Sequence, residues 1–114
     1  MQIGKDAENR AVAYLKQQGL EILSRNFRRR LGELDVVARE GDVLIIAEVR
    51  TRSSDTFGGA AASVDWFKQR KIIRAAEQLL QRHREFGNMR VRFDVVVVHD
   101  AEKGIEWIKH AFDA

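Results

Sequence analysis

Apolar positions recur along this chain with different periods, and each period marks a different kind of element. Ala7, Ala11, Val12, Tyr14 and Leu15 fall at helical spacing, which predicts a first helix over residues 4–18, ended by Gly19. Residues 20–27 read as a strand. Over 32–39 the pattern alternates, with Glu33, Asp35 and Val37 on one face and Leu34, Val36 and Ala38 on the other. Residues 43–51 form a nearly continuous apolar run rich in β-branched side chains, as expected of a strand covered on both faces. A Gly- and Ala-rich loop at 53–62 leads to a long helix capped by Ser63, with Asp65 in its first turn. That helix carries the stripe Val64, Ile72, Ala75, Ala76, Leu79 and Leu80 and stops near Gly87. Residues 90–99, with four consecutive valines from Val95, read as a second buried strand, and 104–110 as a short last one.

A buried strand, a helix and a second buried strand in series imply a right-handed parallel crossover. Helix, three antiparallel strands, helix and strand together predict an α/β fold. Its mixed sheet combines an antiparallel hairpin with a parallel crossover and is flanked by helices. At 114 residues, with no repeat or linker, the chain reads as one domain, 1–114.

Composition narrows the chemistry. With no cysteine there is no disulfide, thiol nucleophile or zinc–thiolate site, which suits a reducing cytoplasm. The longest apolar run, 43–47, is far short of the ~20 residues that cross a bilayer. Lys5, Asp6, Glu8 and Arg10 interrupt any signal-like segment, so the expectation is a cytoplasmic protein away from membranes. A net charge of +3 and a pI near 9.6 favour a polyanionic partner. Basic residues gather at Arg25, Arg28, Arg29 and Arg30 and again at Lys68, Arg70, Lys71 and Arg74. Of these Arg25, Arg28, Arg29, Arg30, Lys68 and Lys71, together with Arg52, are candidate nucleic-acid contacts. No helix-turn-helix or zinc finger is present, so recognition is expected to follow the shape of DNA and not its sequence.

The hairpin between the second and third strands carries the candidate chemistry. Gly41-Asp42 suits a two-residue type II′ turn, which pairs Glu40 with Val43 and keeps every outward pair summing to 83. Asp35 then faces Glu48 and Glu33 faces Arg50, all on one face of the sheet. Two opposed carboxylates in strands otherwise written for burial repel and are costly to desolvate. A hard divalent cation, Mg²⁺ or Mn²⁺, would offset that cost and act on a phosphodiester, with Arg50 stabilising developing negative charge. Glu8 shares a helical stripe with Val12 and Leu15 and is expected to point inward beside them. The same opposed charges also fit a salt-bridge ladder, Glu33 with Arg50 for example. Trp66 and Phe67 could stack on bases, but at a helix start they are expected in the core or as a staple, and His83, His99 and His110 are expected at the surface or a helix end.

Residues 32–52, GELDVVAREGDVLIIAEVRTR, resemble the Gly-Glu-x-Asp … Glu-Val-Lys signature of the YraN-like family of uncharacterised bacterial proteins. That family looks like a branch of the PD-(D/E)XK restriction-endonuclease-like superfamily, with Holliday-junction resolvases among its nearer relatives. The likeness runs nearly end to end, through Gly4, Ala7, Glu8, Ala11, Tyr14, Leu15 and Gly19, then Arg25-Asn26-Phe27, Phe57-Gly58 and Arg92-Phe93-Asp94. It implies an endonuclease-like core, with Asp35, Glu48 and the backbone carbonyl of Val49 as metal ligands and Glu8 as an accessory acid. Lys68 would approach the phosphate backbone. The chain departs from the signature at Arg50, where the motif has lysine. A guanidinium stays protonated and cannot readily serve as a base, so water activation would fall to the metal or to Glu33. The implied activity is a metal-dependent endonuclease for branched, flapped or damaged DNA, dimeric if two strands are to be cut. A catalytically silent DNA-binding module, or an adaptor docking through the long helix, is the alternative.

Overall fold

The computed structural model describes residues 5–52, 64–99 and 104–114. In chain order these form α1 (Lys5–Gln17), β1 (Glu21–Arg29), β2 (Gly32–Glu40), β3 (Val43–Arg52), α2 (Trp66–Arg82), β4 (Arg90–His99) and β5 (Ile105–Phe112). One 3₁₀ turn, Arg84–Phe86, follows α2. The loop at 53–62, the Ser63 cap and the helix start at Gly4 lie outside the described residues. Among the described residues no helix is long and apolar enough to cross a membrane.

The strands lie in one sheet in sequence order, antiparallel throughout except for the parallel pair β3–β4 that α2 connects. This is the α/β mixed sheet that the patterning predicts, and it is consistent with the restriction-endonuclease-like core that the resemblance implies. Both faces are covered, which is why β3 and β4 are apolar on consecutive residues. On one face α2 sets Ile72, Ile73, Ala76 and Leu79 against Leu44, Ile46, Phe93 and Val95. On the other α1 sets Ala7, Ala11, Val12 and Leu15 against Val36, Ile45, Val49 and Val96.

The hairpin turn is as predicted. Gly41 has φ +59° while Asp42 keeps a negative φ, which is type II′, and Glu40↔Val43 through Val36↔Ala47 follow the 83 register. The predicted face alternation of β2 fails at one place. Val36 and Ala38 pack toward α1, but Leu34 joins Val37 on the α2 side; the break falls at Asp35, which the β1 register sets beside Asn26 with its φ of +55°. The N-cap of α2 is Asp65, whose Oδ1 accepts the Lys68 N–H at 2.8 Å. A side-chain oxygen at the cap reaches the third helical amide, so the helix begins at Trp66. Trp66 and Phe67 are 63% and 71% exposed, against the expectation of a core or staple position. The stripe that packs on the sheet starts at Ile72 and leaves the first turn of α2 beyond the sheet's cover.

Gly32 is required by a close approach. A Cβ there would lie 2.4 Å from the Lys71 carbonyl oxygen and 3.0 Å from its carbon, both backbone atoms that cannot step aside. Gly32→Ala should therefore force β2 and α2 apart and cost about 1–3 kcal/mol. Thermal melts would show this as a lower Tm; an unchanged Tm would mean that the contact is not tight.

Candidate active site

Moving away from the turn, Val36↔Ala47 is the last bonded pair of the hairpin. Beyond it β2 stays with β1 through Phe27↔Leu34, Arg28↔Glu33 and Arg29↔Gly32. β3 stays with β4 from Glu48↔Val95 to Arg52↔His99. The sheet therefore forks at Asp35 and Glu48, and both carboxyl groups sit in the fork.

Asp35 bridges the gap. Its Oδ2 accepts the Val49 N–H at 2.9 Å, so a side chain satisfies an amide that the departing strand leaves behind. Its carboxyl and that of Glu48 line the same cleft. Glu48 is buried, with Arg50 Nη2 at 3.5 Å and Lys68 Nζ at 3.6 Å from its Oε2. The predicted Glu33–Arg50 pair does not form, because the fork leaves Glu33 with β1, where Arg28 Nε lies 3.5 Å away. From the first turn of α1, Glu8 reaches the same space, buried as expected. Its two oxygens accept from Asn26 Nδ2 at 2.9 and 3.1 Å, and Oε1 from Arg25 Nε at 3.3 Å. These residues line a cleft of about 630 Å³. Next to it, Arg28, Arg29, Arg30, Lys68 and Lys71 line a second hollow of about 370 Å³. Arg52 lies at the far end of β3, outside both hollows.

The electrostatics of the cleft are uneven. Burial, then the Glu48 charge and the hydrogen bond to it, raise the Asp35 pKa to about 7, against the smaller opposing effects of the Val49 N–H and Lys68. Unit charges ~4 Å apart near a protein surface repel by roughly 4 kcal/mol, so two ionised carboxylates in one cleft form a strained pair. Arg50 and Lys68 relieve it in part. The Arg50 Nε is buried and has no hydrogen-bond partner among the described residues, a donor left over inside a polar cleft.

The donor set suits a hard cation with an incomplete protein shell. Among the described residues no group of three or more acidic or histidine side chains is arranged to hold a metal. Glu8 and Glu33 line the cleft but are bound to Asn26, Arg25 and Arg28. An ion between Asp35 and Glu48 would thus take two side-chain ligands and fill its remaining positions with water, phosphate or carbonyl oxygens, as Mg²⁺ commonly does.

Sequence reasoning named Asn26 within the Arg25-Asn26-Phe27 likeness but gave it no role at the site. It sits in β1 with φ +55°, a left-handed conformation that asparagine tolerates better than most residues, and its amide meets Glu8. The register of β1 on β2 brings it beside Asp35. The one local signal was a small amide in mid-strand, between Arg25 and Phe27.

The model of the uncharacterised protein family UPF0102 matches residues 7–98 of this chain. A UPF0102 protein of Nitrosomonas europaea is 49% identical over 96% of this chain and 92% of its own. One of Methylobacillus flagellatus is 49% identical over 99% of this chain and 98% of its own. A UPF0102 protein of Pseudomonas fluorescens is 41% identical, over 100% of this chain and 95% of its own.

Proposed function

This chain belongs to the uncharacterised protein family UPF0102, and from that premise we propose that it is a metal-dependent endonuclease for branched, flapped or damaged DNA. The observation that carries the reading is the convergence of two carboxyl groups, Asp35 and Glu48, in one cleft at the fork of the sheet with two cationic side chains beside them. Asp35, Glu48 and the Val49 carbonyl would hold Mg²⁺ or Mn²⁺. When bound, that ion would polarise a phosphoryl oxygen and acidify a water. The chain's own part is positioning. The Val49 N–H fixes Asp35. Arg50 and Lys68, now turned toward Glu48, are the donors that a phosphate entering the cleft would meet, with the Arg50 Nε still unused. Because Arg50 keeps its proton, Glu33 is the candidate to take one from water, and Glu8 holds Asn26 and Arg25 at the wall. Arg28, Arg29, Arg30 and Lys71 would extend the grip on the backbone.

A second reading rests on the same ion pairs. Arg50 and Lys68 already neutralise Glu48, so the fork is also intelligible as a silent DNA-binding module with permanent cations where a nuclease would hold a metal. Labelled linear, flapped, single-stranded and four-way-junction DNA, incubated with Mg²⁺ or Mn²⁺, separates the two. The nuclease predicts metal-dependent products that fall at least about 100-fold in Glu48→Ala while DNA affinity is retained. Binding without products from the unaltered protein would establish the module.

A further inference from the structure

The first turn of α2 leaves two aromatic side chains in the open. The rings of Trp66 and Phe67 stand edge to face with centroids 5.2 Å apart, and the Arg70 guanidinium lies 5.9 Å from the Trp66 centroid. Single exposed apolar residues need no explanation, but two adjacent, mostly exposed aromatics do. Their surroundings are basic. Phe67, Lys71 and Arg74 follow at i, i+4 and i+7 on the exposed side of α2, and Trp66 and Arg70 run beside them. Lys68, between the two, reaches into the cleft to within 3.6 Å of Glu48. It also lines the hollow shared by Arg28, Arg29, Arg30 and Lys71. The one acidic residue of this turn, Asp65, is occupied as the helix cap.

We infer that this turn is a stacking ledge for unpaired nucleotides, lying beside the cleft. The inference rests on the nuclease-site reading and gives it a substrate class: DNA with a single-stranded stretch next to the bound phosphate. A polyanion with planar faces matches both halves of the surface, bases for the rings and phosphates for Lys68, Arg70 and Lys71. A second copy of the chain would bring the same cations against themselves. Duplex DNA hides its base faces and offers the rings nothing to stack on.

The test needs no catalysis. Anisotropy of a fluorescein-labelled thymidine oligonucleotide and of a duplex of equal length would be measured in EDTA across a salt series. The unaltered protein would be compared with Trp66→Ala, Phe67→Ala, the double variant and Trp66→Tyr. Each alanine should weaken single-strand binding roughly tenfold, leave duplex binding and the salt slope unchanged, and be rescued in large part by tyrosine. Both side chains are exposed, so the variants should melt with the unaltered protein. Single-strand affinity that is unchanged in the double variant would overturn the ledge. So would equal losses on single strand and duplex, or an effect seen only in self-association or vesicle binding. A protein that cleaves nothing but shows the single-strand loss would sink the nuclease and keep the ledge.

Discussion

Asp35→Asn should make the metal-free protein more stable at pH 8 and abolish metal-dependent cleavage. The folded state raises the Asp35 pKa from 3.8 to about 7, first through burial and then through Glu48. Between those values the folded chain holds a proton that the unfolded chain has released. The stability from this group is therefore fully present below pH ~4 and is lost as pH rises through ~7. At pH 8 the folded protein carries two charged carboxylates in one cleft, at a cost of a few kcal/mol. Asparagine resembles the protonated acid: its oxygen can accept the Val49 N–H and its amide can donate to Glu48. In EDTA the variant's Tm should exceed that of the unaltered protein by several degrees at pH 8, and the gap should close toward pH 4. Mg²⁺ should raise the Tm of the unaltered protein at pH 8 and do little for the variant, since binding to the folded state alone stabilises it. A variant less stable at pH 8, or a gap that does not change with pH, would show that the pair is satisfied as it stands. A gain in stability paired with lost function is the usual mark of a site strained for its work.

That the two carboxyl groups converge was legible in the sequence because strand geometry is arithmetic. Gly41-Asp42 sets a two-residue turn, the turn sets the register, and the register runs to Val36↔Ala47, one step short of Asp35 and Glu48. The covered strands were legible for a related reason: only a strand buried on both faces is apolar at every step, as at Val95, Val96, Val97 and Val98. What escaped is whatever depends on where elements part or meet in space. Nothing in the β2 pattern says that it leaves β3 after Val36, so Glu33 was assigned to Arg50 when it belongs to Arg28. Gly32 looked like a strand start, and its need to be glycine comes from Lys71, on a helix far along the chain. Trp66 and Phe67 carry the same local signature whether a neighbouring element covers them or not.

Asp94→Ala should cost about 3–5 kcal/mol, a large part of the stability of a domain this size, without touching the site. Asp94 is fully buried on the α1 side of the sheet. Its oxygens accept Arg92 Nε and Nη2, Trp107 Nε1 and the His110 N–H, each at 2.9 Å. These bonds hold the guanidinium charged, raising the Arg92 pKa further. They also tie β5 to β4 at the irregular step where His110 has φ +54°. Trp107 in turn meets Tyr14 of α1 edge to face at 6.3 Å, so the carboxylate anchors one strand and orients the ring on which a helix rests. Alanine would leave the Arg92 guanidinium with Glu40, 3.5 Å from its Nη1, and would strip the acceptor from its Nε and from the Trp107 and His110 donors; burying unpaired groups costs more than the lost bonds alone. Asparagine is no remedy, since one of its two ends would present hydrogens to donors. Urea unfolding should show the midpoint falling sharply with little change in slope. Glu48 faces α2, on the other side of the sheet, where Lys68 meets it. Cleavage per folded molecule at low temperature should therefore survive the substitution. A variant that unfolds like the unaltered protein would remove the carboxylate from the structural account, and one that stays folded but loses activity would bring Asp94 into the chemistry.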